Sequence, residues 1–195
     1  MDTNILIAGV GGQGTLLASR IIGNVALKQG YDVKMSEVHG MSQRGGSVVT
    51  YVRFSPDKVY SPVVDPGQAH IVVAFELLEA YRNVGFLMPG GRLFANTQQI
   101  NPMPVITGDA SYPDEITSKL KSLDINFISA DALSMAREAG TERAVNTVLM
   151  GIMAANMPFD KQDWQNAVRD SVKERFVNEN LRAFESGYQY IKERC

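Results

Sequence analysis

The sequence predicts an α/β fold: a Rossmann-like open sheet, mainly parallel, with helices on both faces and C-terminal helices packed on it. Two observations support this prediction. Apolar runs of strand length alternate with helical patterns over residues 1–140, which is typical of parallel sheets with crossover helices. Residues 141–195 show no strand pattern and predict helices only. We therefore expect a single domain, 1–195, with an α/β core and a helical C-terminal part.

The first strand is predicted at 4–10, NILIAGV, because an unbroken short apolar run is typical of a strand buried on both faces. A helix follows, since apolar residues recur there at four-residue steps. Two more strands are predicted at 31–38 and 47–55, and no crossover helix separates them.

Strands and helices continue to alternate after residue 68. Further strands are predicted at 69–76, 92–97 and 125–130. Helices are predicted at 77–87, 113–123 and 131–140, the last with Asp131 as its N-cap. MPGG at 88–91 predicts a turn, and the stretch 98–112, which contains two prolines, predicts a loop.

The C-terminal part is predicted to be helical throughout. The stretch 142–157 is apolar nearly all round, which predicts a buried helix. Amphipathic helices are then predicted from apolar residues at three- or four-residue steps: Trp164, Val168, Val172 and Phe176, followed by Leu181, Phe184, Tyr188 and Ile191.

Composition argues against several classes of protein. The net charge is −2, from 19 basic and 21 acidic residues that are well mixed, which argues against a nucleic-acid surface. No apolar run approaches the ~20 residues of a membrane-spanning helix. The first residues also lack the basic start and the cleavage site of a signal peptide. We therefore expect neither nucleic acid nor membrane as partners, and a cytoplasmic location.

The residue types present also limit metal chemistry. Cys195 is the only cysteine, and the histidines are His39 and His70. One cysteine can form neither an intrachain disulfide nor the ligand set of an iron–sulfur cluster. The carboxylates are not grouped in a way that suggests zinc. We therefore predict no metal site and no cofactor bound by this chain.

The first motif with chemical meaning is GVGGQG, which lies between the first strand and the first helix and matches G-x-G-x-x-G. In a dinucleotide site, Gly9 would allow the tight turn and Gly11 would let a pyrophosphate approach the backbone. Gly14 would let the helix pack close to the strand. The helix N-terminus would add free N–H groups, and Glu37 lies where a ribose-binding acid is expected.

Packing and interface formation are the second interpretation of this turn. Gln13 adds a polar side chain that a plain pyrophosphate cradle does not need, and glycines such as Gly12 can simply permit close packing. After Glu37 the chain enters another strand instead of the loop and helix of a dinucleotide fold. Both interpretations stay open at this point.

The second motif is EVHGMSQRGG, residues 37–46, which has neither a helical stripe nor strand alternation. It follows a strand that we predict to neighbour the first one, so both motifs should share one rim of the sheet. His39 could exchange a proton near neutral pH, and Arg44 could grip a carboxylate or phosphate. Alternatively, the motif is a hydrated turn in which Arg44 pairs with Glu37. The other candidate contact residues are Gly40, Met41, Ser42, Gln43, Gly45 and Gly46.

No self-contained catalytic apparatus accompanies the two motifs. The sequence has no nucleophile elbow, no Walker lysine and no paired carboxylates that it places on one face. We therefore predict that the chain is part of an enzyme and that other parts come from a partner.

The pairing of GxGGQG with EVHGMSQRGG resembles the gamma-type subunit or domain of the 2-oxoacid:ferredoxin oxidoreductases, above all in their indolepyruvate branch. The similarity covers nearly the whole chain, including DALSMAREAGTERAVNTVLMGIMAA and NLRAFESGYQYI. This resemblance implies oxidative decarboxylation of a 2-oxo acid, with coenzyme A as co-substrate and ferredoxin as electron acceptor.

The resemblance also implies how the work is divided between subunits. A large partner subunit carries thiamine diphosphate, magnesium and [4Fe-4S] clusters, and this chain is its accessory subunit, with contacts at 11–14 and 39–44. Indolepyruvate or another arylpyruvate is the expected substrate, and pyruvate, 2-oxoglutarate and ketoisovalerate are alternatives. A stand-alone nucleotide-binding Rossmann protein and a purely structural scaffold are the competing hypotheses.

Overall fold

Six strands form one open sheet in the computed structural model, which describes residues 2–40 and 45–193. The strands are β1 (Thr3–Val10), β2 (Asp32–His39), β3 (Ser47–Ser55), β4 (Ala69–Ala74), β5 (Leu87–Asn96) and β6 (Asn126–Ala130). Their order across the sheet is β2-β3-β1-β4-β5-β6. All strands run parallel except β3, which is antiparallel to both of its neighbours. The predicted mainly parallel α/β sheet is confirmed.

Helices cover both faces of this sheet. Within 2–40 and 45–193 they are α1 (Thr15–Lys28), α2 (Leu77–Asn83), α3 (Met103–Ile106), α4 (Ile116–Ser122), α5 (Ala132–Glu138), α6 (Val145–Ala154), α7 (Lys161–Ser171) and α8 (Val177–Lys192). The predicted N-cap of α5 is confirmed, because the Asp131 side chain accepts a hydrogen bond from the Ser134 N–H. None of the described helices is long and apolar enough to cross a membrane.

The position of β3 corrects one prediction. β1 and β2 are not neighbours, because β3 is inserted between them: Glu37 faces Thr50 on β3, and Thr50 faces Ile7 on β1. Two antiparallel steps nevertheless leave β1 and β2 parallel to each other, so their C-terminal ends lie at the same edge. We call this edge, where Val10, His39 and Ala74 end their strands, the C-terminal rim.

The prediction of a turn at 88–91, before the strand, is also wrong, because these residues lie inside β5. Leu87 pairs with Ala69 and Arg92 pairs with Ile71, so the residues between them form an irregular bulge in the ladder. Gly91 fits there because a Cβ would lie 3.0 Å from the Ala69 carbonyl oxygen. The glycines therefore serve a bulge within the strand and not a turn before it.

Other boundaries also differ from the prediction, among them the end of α2, which lies at Asn83 and not at residue 87. The stretch 98–112 is not all loop, since it contains α3. The helix predicted at 113–123 begins only after Glu115, whose left-handed backbone (φ 60°) interrupts the helical geometry. α7 ends before Val172, which is extended, and Phe176 belongs to a separate 3-10 turn.

Two apolar clusters hold the helices to the sheet, one on each face. Side chains of β1 alternate between them, with Ile5 and Ile7 in the larger cluster and Leu6 and Ala8 in the smaller one. The C-terminal helices α6, α7 and α8 pack with α1 in the larger cluster, and all ten residues of α6 are buried. The predictions of a doubly buried first strand, of a buried helix after residue 141 and of C-terminal helices packed on the sheet are confirmed.

Helices α6 and α8 approach each other at two glycines. A Cβ on Gly151 would overlap the Phe184 carbonyl oxygen, and a Cβ on Gly187 would overlap the Val148 carbonyl oxygen. Each glycine therefore brings one backbone against the other, and no larger residue fits without separating the helices.

Gly187→Ala is expected to lower the free energy of unfolding by about 1–3 kcal/mol, because the added methyl group overpacks the α6–α8 contact. Gly85→Ala is the matched control, since no atom lies within 4 Å of a Cβ at that position. Urea unfolding followed by circular dichroism measures both variants. Equal stability of the two variants would contradict this account of the helix pair.

Candidate functional site

The C-terminal rim brings the two sequence motifs together. The turn at 9–14 follows β1, and the segment 37–46 runs from the end of β2 to the start of β3. The Gly11 N–H donates a hydrogen bond to the Gly46 carbonyl oxygen at 2.9 Å, which joins the two motifs directly. Four of the predicted contact residues lie outside the described residues: Met41, Ser42, Gln43 and Arg44.

Gln13 organises the glycine turn. Its Oε1 accepts a hydrogen bond from the Val10 N–H at 2.7 Å, and its Nε2 donates to the Phe75 carbonyl oxygen at 3.0 Å. The side chain thus links the C-terminal ends of β1 and β4. A Cβ on Gly9 would lie 3.0 Å from Gln13 Oε1. Gly9 therefore makes room for this glutamine, a role that the sequence pattern did not reveal.

Gly14 makes room for a side chain from α6. Its backbone is left-handed, with φ 86°, and a Cβ there would overlap Asn146 Nδ2. That Nδ2 donates to the Gly14 carbonyl oxygen at 3.3 Å, while Asn146 Oδ1 accepts from the Thr147 N–H at 2.8 Å. The start of α1 is therefore positioned against α6, whereas the sequence motif predicted close packing against the strand.

Glu37 is already engaged by two hydroxyl groups of the protein. Its Oε2 accepts hydrogen bonds from Thr15 Oγ1 at 2.9 Å and from Thr50 Oγ1 at 3.2 Å. Both threonines are buried, one at the start of α1 and one on β3. The carboxylate that would bind a ribose thus ties β2 to α1 and β3. Neither threonine stood out in the sequence, because their proximity depends on the insertion of β3.

His39 lies at the exposed end of β2. Its Nδ1 is 3.2 Å from the Gly40 carbonyl oxygen, which places the ring against its own turn. Among the described residues the imidazole has no hydroxyl, thiol or carboxylate partner. It is therefore not part of a nucleophile–base pair within this portion of the chain. The alternative in which Arg44 pairs with Glu37 concerns a residue outside the described ones.

Three clefts open along the C-terminal rim. A cleft of about 330 Å³ is lined by Gly11, Gly12, Gly14, Thr15, Leu16, Glu37, His39 and Val48. A second, of about 420 Å³, lies between the glycine turn and the start of α6 and includes Gln98, Glu142 and Arg143. A third, of about 220 Å³, lies between Gly45, Gly46 and α2 and includes Glu76, Glu79 and Arg82.

The glycine turn offers hydrogen-bond donors to the first two clefts. No acceptor among the described residues is paired with the backbone N–H groups of Gly12, Gly14, Thr15 or Leu16. These groups lie at the positive end of the α1 dipole and suit a polar or anionic group. The donors at Gly11 and Val10 are already used within the protein. The turn can therefore contact a ligand, but part of the usual pyrophosphate cradle is taken by protein groups.

Two buried acids at the rim were not found from the sequence. Glu76 is 1% exposed: its Oε2 accepts from the Glu79 N–H at 2.9 Å, which caps α2. Its Oε1 accepts from the Ile100 N–H at 3.0 Å and from the Tyr112 hydroxyl at 2.6 Å. Partial burial, and then the hydrogen bond and negative charge of Glu76, hold the pKa of the Tyr112 phenol well above its ordinary value. The only sequence signal was an acid directly after a buried strand.

Glu79, at 2% exposure, is paired with a basic and a hydroxyl group. Its Oε1 lies 2.6 Å from an Arg82 guanidinium nitrogen, and its Oε2 accepts from Ser47 Oγ at 2.6 Å. This arrangement links α2 to the start of β3. Within the described residues no three His, Cys, Asp or Glu side chains group as metal ligands.

The family follows from a comparison with known sequences. The family model for pyruvate ferredoxin/flavodoxin oxidoreductase matches residues 4–190, almost the whole chain. The chain belongs to this family. It is 42% identical to "Indolepyruvate oxidoreductase subunit IorB" of Thermococcus kodakarensis, over 98% of this chain and 97% of that protein. It is 38% identical to the subunit of the same name from Archaeoglobus fulgidus, over 96% and 94%.

Solved structures of lower identity show the same fold. The gamma subunit of a keto/oxoacid ferredoxin oxidoreductase from Geobacter sulfurreducens superimposes with a TM-score of 0.74 at 23% identity, covering 98% of this chain and 99% of that chain. The 2-oxoglutarate:ferredoxin oxidoreductase of Magnetococcus marinus gives 0.75 at 20%, covering 98% and 31%. The predicted gamma-type fold is confirmed.

Gln13→Ala is expected to lower the free energy of unfolding by about 1–3 kcal/mol. The substitution leaves the Val10 N–H without an acceptor and removes one of the hydrogen bonds to the Phe75 carbonyl oxygen. Gln162→Ala is the control, since that side chain bonds only to Asn166 on the exposed face of α7 and should change stability by less than about 0.5 kcal/mol. Urea unfolding separates the two. Similar stability losses would argue against the linking role of Gln13.

Tyr112→Phe is expected to lower the free energy of unfolding, and the loss should be largest at pH values below the ordinary phenol pKa of about 10. Because folding raises the pKa of Tyr112, its contribution is complete below the unfolded pKa and is lost as pH rises through the folded pKa. The stability difference between wild type and variant should therefore narrow at alkaline pH. Unfolding measured from neutral to alkaline pH tests this, with the exposed Tyr60→Phe as control. A difference that does not narrow would contradict the pairing with Glu76.

Proposed function

We propose that this chain is the accessory subunit of a 2-oxoacid:ferredoxin oxidoreductase that acts on indolepyruvate or another arylpyruvate. The observation that carries the proposal is the 42% identity with an indolepyruvate oxidoreductase subunit over 98% of this chain and 97% of that protein. Such nearly end-to-end similarity supports the same role for the two chains. Identity falls to 29% with a ketoisovalerate oxidoreductase subunit and to 26% with a 2-oxoglutarate synthase subunit.

The redox chemistry in this proposal resides in a larger catalytic subunit. That subunit supplies thiamine diphosphate with magnesium, which stabilises the carbanion formed by decarboxylation, and [4Fe-4S] clusters, which carry the electrons. The 2-oxo acid loses carbon dioxide, two electrons pass to ferredoxin, and the acyl group passes to coenzyme A. A chain with one cysteine offers too few thiolates for any such cluster. The single cysteine also suits a reducing compartment, and we place the complex in the cytoplasm.

The role proposed for this chain is to complete one wall of the partner's active site with its C-terminal rim. Three features support that role. Gly46 is hydrogen-bonded to Gly11, and Glu37 and His39 line the same cleft as the glycine turn. Free backbone N–H groups at Gly12 and Gly14 suit an anionic group such as the phosphates of coenzyme A. Arg143 lines the same cleft and adds a positive charge there.

The stand-alone nucleotide-binding protein is the weaker hypothesis. Glu37 is hydrogen-bonded to Thr15 and Thr50, so a ribose would have to displace protein groups. The Gly11 N–H already donates a hydrogen bond to the Gly46 carbonyl oxygen. Calorimetric titration of the isolated chain with NAD, NADP and FAD is therefore expected to give no binding heat, whereas tight binding of any of them would favour this alternative.

Copurification and turnover test the proposed function. Expressed in its host, the chain is expected to copurify with a larger thiamine- and cluster-bearing subunit that reduces ferredoxin faster with indolepyruvate than with ketoisovalerate or 2-oxoglutarate. Purification without such a partner would reject the proposal, and a preference for another oxo acid would reject the substrate.

His39→Ala combined with Arg44→Ala tests whether the rim takes part in the reaction or only supports the assembly. Turnover by the complex is expected to fall at least about 10-fold while the subunits stay associated, as for residues that position substrates. Arg169→Ala with Gln162→Ala, on the exposed face of α7, is the control, because it too removes one arginine and one neutral polar side chain. Full activity in the rim variant would favour a purely structural scaffold.

A further inference from the structure

Residues 100–112 form a rim loop whose two ends are held by one buried oxygen atom. Glu76 Oε1 accepts both the Ile100 N–H and the Tyr112 hydroxyl, at 3.0 and 2.6 Å. The loop also bonds to itself, since the Ala110 N–H donates to the Pro104 carbonyl oxygen at 3.0 Å. A compact surface loop with joined ends has the character of an Ω-loop, a kind of loop that frequently carries function.

The outer part of the rim loop is apolar, and the described residues leave it uncovered. It contains α3, with the sequence MPVI, and no residue of α3 is buried. Met103 is 63% exposed and Ile106 is 67% exposed. Pro102 and Pro104 restrict the backbone around this helix. An ordered loop that exposes two large apolar side chains beside a ligand cleft indicates a contact surface.

The charged side chains within the rim loop and just after it are acidic. From residue 93 to residue 118 the charged side chains are Asp109, Asp114 and Glu115, with no lysine or arginine. Beneath the loop, Glu76 and Glu79 are buried and Arg82 pairs with Glu79. A second copy of the same surface would meet like charges, and an anionic membrane surface would repel it. The complementary surface is therefore basic, with an apolar pocket.

We propose that the rim loop is a docking element for the catalytic subunit, with Met103 and Ile106 inserted into an apolar pocket that basic side chains surround. This inference rests on the proposed function, because it requires that subunit as the partner. The hydrogen bonds from Ile100 and Tyr112 to Glu76 Oε1 hold the loop in one conformation before binding. This lowers the conformational entropy lost on association. The loop adjoins the clefts at Gly45 and Gln98, so docking there would bring the partner over the candidate site.

The test compares two double variants, each with two exposed side chains replaced by serine, in the complex of full-length subunits. Met103→Ser with Ile106→Ser removes the proposed anchors. Leu27→Ser with Tyr60→Ser removes side chains that are 56% and 85% exposed, at the end of α1 and in the β3–β4 connection. Dissociation on dilution, followed by mass photometry, gives the dissociation constant for each complex. Circular dichroism verifies that all the chains remain folded.

The dissociation constant is expected to rise about 30-fold or more for the rim-loop pair, as for anchor residues of an interface, and less than about 3-fold for the control pair. Asp114→Asn with Glu115→Gln should weaken the salt dependence of assembly, because it removes part of the acidic surface. Assembly that tolerates the Met103 and Ile106 exchanges would overturn this inference alone. Absence of any thiamine-bearing partner would overturn the proposed function and this inference together.

Discussion

The buried polar groups at the C-terminal rim must be satisfied by hydrogen bonds, and much of the site follows from how that is done. Strands that end inside a protein leave N–H and C=O groups away from water, and leaving them unpaired is costly. Here side chains supply the partners. Gln13 and Asn96 both donate to the Phe75 carbonyl oxygen, and Asn96 also accepts from the Ala132 N–H. Glu76 accepts a hydrogen bond from an N–H at the start of α2, and Asn146 donates one to the Gly14 carbonyl oxygen at the start of α1.

This arrangement changes the meaning of the glycine motif. In a dinucleotide site the first glycine would allow the tight turn, and the third would let the helix pack close to the strand. In this protein Gly9 leaves space for Gln13, and Gly14 leaves space for Asn146. Among the described residues, the Gly12 and Gly14 N–H groups have no partner, so the turn can still contact a polar or anionic group.

The inserted strand β3 has a similar consequence for the second motif. Because β3 runs antiparallel between β1 and β2, the chain returns to the rim without a crossover helix. Gly46, just before β3, therefore lies beside the glycine turn, and its carbonyl oxygen accepts a hydrogen bond from the Gly11 N–H. Glu37 is held by hydroxyl groups from two other elements.

The sequence by itself determined the strands, the main helices and the family, because those depend on local apolar periodicity and on two contiguous motifs. NILIAGV is buried on both faces as its composition requires, and all of α6 is buried as its unbroken apolar pattern requires. Only the tertiary structure decided the order β2-β3-β1, the bulge in β5 and the partners of Gln13, Glu37 and Glu76. Those features join residues distant along the chain, such as Glu76 and Tyr112, and no local pattern records which distant groups meet.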